Sequence, residues 1–147
     1  MRIKILPADK YFSLCIRERS GWTCEYCNKY YPEGNRQGLH CSHLFGRGNY
    51  SIRFDIYNAF AHCFFCHNQL GSNPVIFSDW ANNKLGENII QSLIEKRNDT
   101  NKAKFIKKNI NEVSKFYRLQ HERMINQRMN NEKIILENYD GYDQFNI

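Results

Sequence analysis

The sequence predicts an α+β fold: a small strand–turn–strand–helix core with one helix before it and a helical extension after it. Three observations carry this. Two C-x-x-C pairs, Cys24/Cys27 and Cys63/Cys66, enclose a segment of strand character. Apolar residues recur at helical spacing on both sides of it. Glycine and proline punctuate the chain at Gly21, Gly38, Gly46, Gly71, Pro74 and Gly86, where one element should give way to the next.

Residues 8–19 read as the first helix, with Asp9 in its first turn and an apolar stripe through Tyr11, Phe12, Cys15 and Ile16. Arg17 and Arg19 sit at its end. There they complement the helix dipole, or contact phosphate, with equal weight for each reading. Residues 38–45 look like a strand, 46–49 a turn, and 50–57 a returning strand in which Ile52, Phe54 and Ile56 alternate. A short helix follows at 66–70. Beyond a hinge at 71–74, helical patterns cover 75–85, 86–97 and, after a polar linker at 98–101, 104–129. The last stripe holds Ile106, Ile110, Val113, Tyr117 and Met124, a packing face for the core or for another subunit. Residues 138–147 lack periodicity, which is compatible with disorder. The expected organisation is therefore a core at 8–77, a helical extension at 78–131 and an acidic tail at 132–147.

A chain of 147 residues supports one domain with appendages. No apolar run approaches the ~18–20 residues of a membrane span, and the N-terminal residues do not form a signal peptide. A soluble cytoplasmic protein is the expectation. Net charge is +6, while the segment from Glu132 onward holds four acids against Lys133 alone. The body is thus the more basic part, which suits a phosphate-rich partner.

Six cysteines could form a disulfide framework, but paired C-x-x-C knuckles in a reducing compartment are better read as zinc ligands. Two knuckles complete a tetrahedral four-thiolate site for a structural Zn2+, with every position filled. The 35 residues between Cys27 and Cys63 exceed the ~15–20 of a compact ribbon, leaving room for a hairpin. Cys15 and Cys41 are left over as buried thiols.

Inside the zinc-clamped segment lie His40, His43 and Asn58, and His67 follows it directly. Phosphodiester cleavage needs an activated water, charge relief on the phosphoryl oxygens and a stabilised leaving oxygen. A neutral histidine can supply the first and a divalent cation the other two. The run Cys63-Phe64-Phe65-Cys66-His67-Asn68, with Asn58 before it and Ser42-His43 on the preceding strand, resembles the ββα-metal core of HNH endonucleases. The narrower resemblance is to the phage NinG (Rap) family of recombination endonucleases. It covers 11–74 and rests also on 12–19, on Trp22-Thr23-Cys24, on Arg47, on Arg53-Phe54-Asp55 and on Gly71-Ser72-Asn73.

The resemblance implies a zinc-stapled HNH fold and a metal-dependent DNA endonuclease. Its substrate would be branched or recombination-intermediate DNA such as a Holliday junction, in the cytoplasm of a bacterial host. It makes His43 the general base, Asn58 the brace of the loop that holds it, and His67 a ligand of a catalytic Mg2+ or Mn2+. Many HNH enzymes place an acidic ligand just before the base, where this chain has Ser42. NinG-like sequences carry an aspartate three residues before the base, where this chain has His40, a nitrogen ligand in its place. Arg47, Arg53, Arg17 and Arg19 are the expected DNA contacts. A two-fold junction would favour a homodimer joined through 104–129.

Each role has a plainer rival. His43 could be an ordinary strand residue, His67 a helix cap or a zinc-thiolate partner, His40 a surface residue and Asn58 a turn residue. Arg47 or Arg53 could pair with Asp55. The competing functions are a non-catalytic zinc module binding DNA or protein, and an HNH nickase of ordinary duplex or single-stranded DNA.

Overall fold

The computed structural model of the protein describes residues 2–145. Helix α1 spans Pro7–Arg19, with Pro7 opening it and Asp9 accepting the Leu6 N–H at 2.8 Å. It ends where Gly21, at φ +64°, turns the backbone. The Gly21 N–H then reaches Glu18 O and the Trp22 N–H reaches Arg17 O, satisfying the last carbonyls.

Strands β1 (Leu39–His43) and β2 (Ala59–Cys63) pair antiparallel, with Leu39 opposite Cys63 and His43 opposite Ala59. Between them lies helix α2 (Tyr50–Arg53). The strand expected at 50–57 is therefore displaced to 59–63. Ile52, Phe54 and Ile56 are buried as their alternation implied, but so are Ser51, Arg53 and Asp55 between them. A segment buried at every position does not present the half-buried face that alternation signals, and here it coils instead.

Arg53 explains much of this. Its guanidinium donates to Asp9 at 3.0 and 2.6 Å and to Lys4 O at 2.9 Å, with only 1% of the side chain exposed. The pair pins α2 to the start of α1. Removing one partner strands a buried charge, so Asp9→Asn should cost about 3 kcal/mol or more in denaturant titration. An Asp9→Leu/Arg53→Met double variant should lose less than either single variant.

Helix α3 (Phe64–Gly71) follows β2 directly and begins two residues earlier than expected. Helices α4 (Pro74–Leu85) and α5 (Glu87–Arg97) match their patterns. The expected helix at 104–129 is instead two, α6 (Thr100–Lys108) and α7 (Ile110–Met129). Asp99, read as linker, caps α6 by accepting the Lys102 N–H at 2.9 Å, and Asn109 separates the two helices.

Two apolar clusters hold the molecule. One sheet face packs with α1, α6 and α7 around Phe12, Ile16, Leu39, Ile106, Val113, Tyr117 and Met124. The other packs with α3 and α4 around Phe60, Leu70, Phe77 and Ala81. The α7 stripe expected to meet core or partner is thus covered by α1 within the chain.

The tail is corrected as well. Residues 132–140 form an ordered strap: Ile134, Leu136 and Tyr139 pack on the first cluster. Asn138 accepts the Ile56 N–H at 2.8 Å, and Tyr117 OH accepts the Tyr139 N–H at 3.1 Å. Helix α8 (Gly141–Phe145) ends the described chain, and the part of the disorder expectation at 146–147 lies outside the described residues. Among the described residues no helix is long and apolar enough to cross a membrane.

Candidate metal centre and active site

Each knuckle is built from local backbone geometry. In the first, Cys24 N–H donates to Lys29 O and Asn28 N–H to Cys24 O, closing a turn that puts Asn28 at φ +65°. Asparagine tolerates that left-handed position. Glu25 ties the knuckle to β2: its N–H donates to Ala61 O, and its carboxylate accepts the Ala61 N–H at 2.7 Å. In the second, Cys63 caps α3 by accepting the Cys66 N–H at its sulfur, 3.4 Å away.

The four sulfurs lie within 4.8 Å of one another, and Cys27 and Cys63 Sγ are 3.9 Å apart. Zn–S bonds of ≈ 2.3 Å set tetrahedral sulfurs about 3.8 Å apart, so the cluster could hold a structural zinc with no open position. Burial alone would raise the Cys63 thiol. The Cys66 backbone N–H, with side-chain hydrogen bonds from Cys66, Tyr31 and Cys27, outweighs it and brings the group down to about 7. Burial instead pushes the Cys24 and Cys66 thiols up, so a bound zinc would itself have to hold them as the thiolates it needs.

A cavity of about 430 Å3 opens along the outer edge of β1, between α1 and α3. His40, His43 and His67 all line it. With them are Lys10, Arg17, Arg36 and Arg47 and one acid, Asp9, whose carboxylate is engaged by Arg53 and the Leu6 N–H. The lining is therefore strongly cationic, which suits a phosphate. The imidazoles of His40 and His67 stand with centroids 5.2 Å apart, edge to face. His40 Nε2 donates to Gln37 O at 2.8 Å, while His67 Nδ1 is buried without a hydrogen-bond partner. Imidazole nitrogens of this kind are the donors that transition-metal cations take.

His43 lies on the opposite sheet face, by strand alternation, stacked on Phe12 at 6.0 Å. Its Nε2 donates to Arg53 O at 3.1 Å, so the neutral ring keeps its Nδ1 lone pair. Burial, the largest influence, pushes the group down to about 4 from an ordinary 6.5. The folded value thus lies below the unfolded one. The stability it contributes is complete above pH 6.5 and is lost as pH falls through 4. Denaturant titrations of wild type and His43→Gln should run parallel above about pH 7 and diverge increasingly as the pH drops, with wild type losing more.

Asn58 is fully buried beneath the loop after His43. Its Oδ1 accepts the Phe45 N–H at 2.8 Å, its Nδ2 donates to Phe45 O and Ile52 O, and its backbone carbonyl accepts the Leu44 N–H. Ser42 is buried and shares the His40 face of β1. His62, opposite His40, is enclosed by Phe60, Phe77 and Trp80 with neither ring nitrogen bonded. It faces the second core.

Of the four arginines expected on DNA, two are elsewhere. Arg53 is the buried partner of Asp9, not of Asp55, whose carboxylate takes Lys96 at 3.1 Å. Arg19 donates to Ile56 O and Ala59 O at 2.6 and 2.7 Å, a brace outside the cavity. Arg17 anchors to Leu39 O and Ser13 Oγ yet lines the cavity, and the Arg47 side chain has no partner among the described residues. Lys10 and Arg36 were missed. Lys10 was findable, since it shares a polar stripe with Ser13 and Arg17 at helical spacing. Arg36 stands in an irregular loop that carries no periodic signal. The chain matches no family model, no curated protein and no solved structure.

Proposed function

We propose that this protein is an HNH-type, metal-dependent endonuclease of DNA, acting on branched recombination intermediates. One observation carries the reading: a histidine with a committed Nε2 and a spare Nδ1 shares a cationic cavity with two further imidazoles in edge-to-face contact. A zinc module that only bound nucleic acid would need neither feature.

In this reading Lys10, Arg17, Arg36 and Arg47 draw a DNA phosphate into the cavity. His43 Nδ1 takes the proton of the attacking water, while the Arg53 carbonyl on its Nε2 holds the tautomer and steadies the charge that forms. Asn58 keeps the 44–52 loop, and so that carbonyl, in place. A divalent ion on His40 and His67 would supply charge relief at the phosphoryl and leaving oxygens. Two nitrogens and no free carboxylate favour Mn2+ or Ni2+ over Mg2+.

The test incubates zinc-loaded protein with a labelled four-way junction and with its linear arms, adding Mn2+, Ni2+, Mg2+ or no divalent ion. Cutting that needs an added ion, is fastest with Mn2+ or Ni2+ and prefers the junction is the expected result. Binding without cutting on every substrate would replace the nuclease with a non-catalytic zinc module. Equal cutting of junction and arms would leave a nuclease of ordinary DNA.

A further inference from the structure

Phe64 and Phe65 occupy the two positions between the zinc-binding cysteines of the second knuckle, and they do not face a core. Phe64 is 59% exposed and Phe65 73% exposed, in a chain whose other eight phenylalanines include Phe12, Phe54, Phe60 and Phe77 in its interior. Exposed adjacent aromatics are unfavourable in water, and here the backbone gives them no latitude to turn inward. Cys63 and Cys66 on either side are tied to the metal cluster, the Phe64 N–H is bonded to Gly38 O at 2.9 Å, and the Cys66 N–H to Cys63 Sγ. The pair is therefore a rigid apolar projection at the start of α3.

Its position gives it a use. The Phe64 ring meets His40 edge to face at 5.7 Å, and His40 in turn meets His67. Through His40, Phe64 thus borders the cationic cavity that the proposed reaction uses, and Phe65 follows it in the chain. A phosphate held by Arg17, Arg36 and Arg47 would bring its own nucleoside beside these rings. Paired bases inside a duplex present only their edges, whereas an unpaired base presents a face on which an aromatic ring can stack.

Resting on the nuclease reading, we propose that Phe64 and Phe65 form a stacking platform for an unpaired DNA base next to the scissile phosphate. The substrate class is then DNA with an unpaired or unstacked nucleotide at the cut: a branch point, a bulge or a single strand. A rigid platform loses little conformational freedom on binding, which favours stacking over a mobile aromatic loop.

The test uses full-length, zinc-loaded His43→Ala protein, so that binding is read without cleavage. The probes are a duplex bearing one bulged 2-aminopurine and a blunt duplex of matched sequence. The bulged base should change its fluorescence on binding. Phe65→Ala and Phe64→Ala should weaken affinity for the bulged probe by about tenfold each and for blunt duplex by less than about twofold. Phe65→Leu, which keeps apolar bulk without a π face, should fail to restore it. Zinc content equal to wild type shows that the knuckle is intact. Equal weakening on both probes, no weakening, or conversion of a dimer to a monomer by Phe65→Ala would overturn the platform, the last assigning the pair to self-association. The two readings fail separately. Stacking without cleavage by the wild-type protein removes the nuclease alone, and cleavage with unaltered phenylalanine variants removes the platform alone.

Discussion

Replacing Cys63 with serine is expected to abolish zinc retention and to collapse the cooperative unfolding of the core. The sheet is two strands of five residues, an assembly only marginally stable by itself. What joins its ends is the cysteine cluster: Cys63 closes β2 and caps α3, while Cys24 and Cys27 reach it from the segment that follows α1. Cys24, Cys63 and Cys66 are also members of the main apolar cluster, so losing the metal places unpaired thiols in the packed interior. Structural zinc sites in small domains contribute about 10–16 kcal/mol, more than the whole stability of a typical domain. Wild-type protein should retain one zinc per chain through dialysis and melt in one sharp transition. Cys63→Ser should retain none, with a broad transition or none, and its residual helicity should reside in the α1 and α7 pair. A metal-free variant with wild-type melting would remove the zinc from the account.

The contrast between the cysteines and the segment at 50–57 shows which parts of this fold could be read from sequence. A C-x-x-C knuckle is local, since two sulfurs from one tight turn define half a site, and pairing the halves needs no knowledge of what lies between. His40, His43 and His67 were singled out by the HNH resemblance around those knuckles, and they do share one cavity. Residues 50–57 depend instead on a distant partner. Arg53 is buried because Asp9, 44 positions earlier, is there to receive it, and the alternation of Ile52, Phe54 and Ile56 carried no trace of that. The strap at 132–140 misled for a similar reason. Its ordering comes from the Glu137 and Tyr139 N–H groups, which find Gln120 and Tyr117 across the fold, and from the Asn138 side chain, which accepts the Ile56 N–H, not from any periodicity of its own. Arg19 reads from sequence like Arg17, and only the carbonyls of Ile56 and Ala59 mark it as a brace.

His43→Ala should lower DNA cleavage by about 10^2–10^4-fold while leaving zinc content, fold and DNA affinity near wild type. The expected preservation of structure follows from the single hydrogen bond His43 makes, to Arg53 O, in contrast with the network on Asn58. Added imidazole should restore part of the lost rate, because in the proposed mechanism the missing group is the proton acceptor and the vacated space beside Phe12 would admit the free base. Asn58→Asp separates base from brace. The aspartate can still accept from the Phe45 N–H but cannot donate to Phe45 O and Ile52 O, and it buries a charge where an amide was satisfied. About 1–3 kcal/mol of stability should be lost for each stranded carbonyl, cleavage should fall, and imidazole should restore nothing, since His43 is still present but its loop is not held. Imidazole rescue of Asn58→Asp, or none of His43→Ala, would reverse the two assignments.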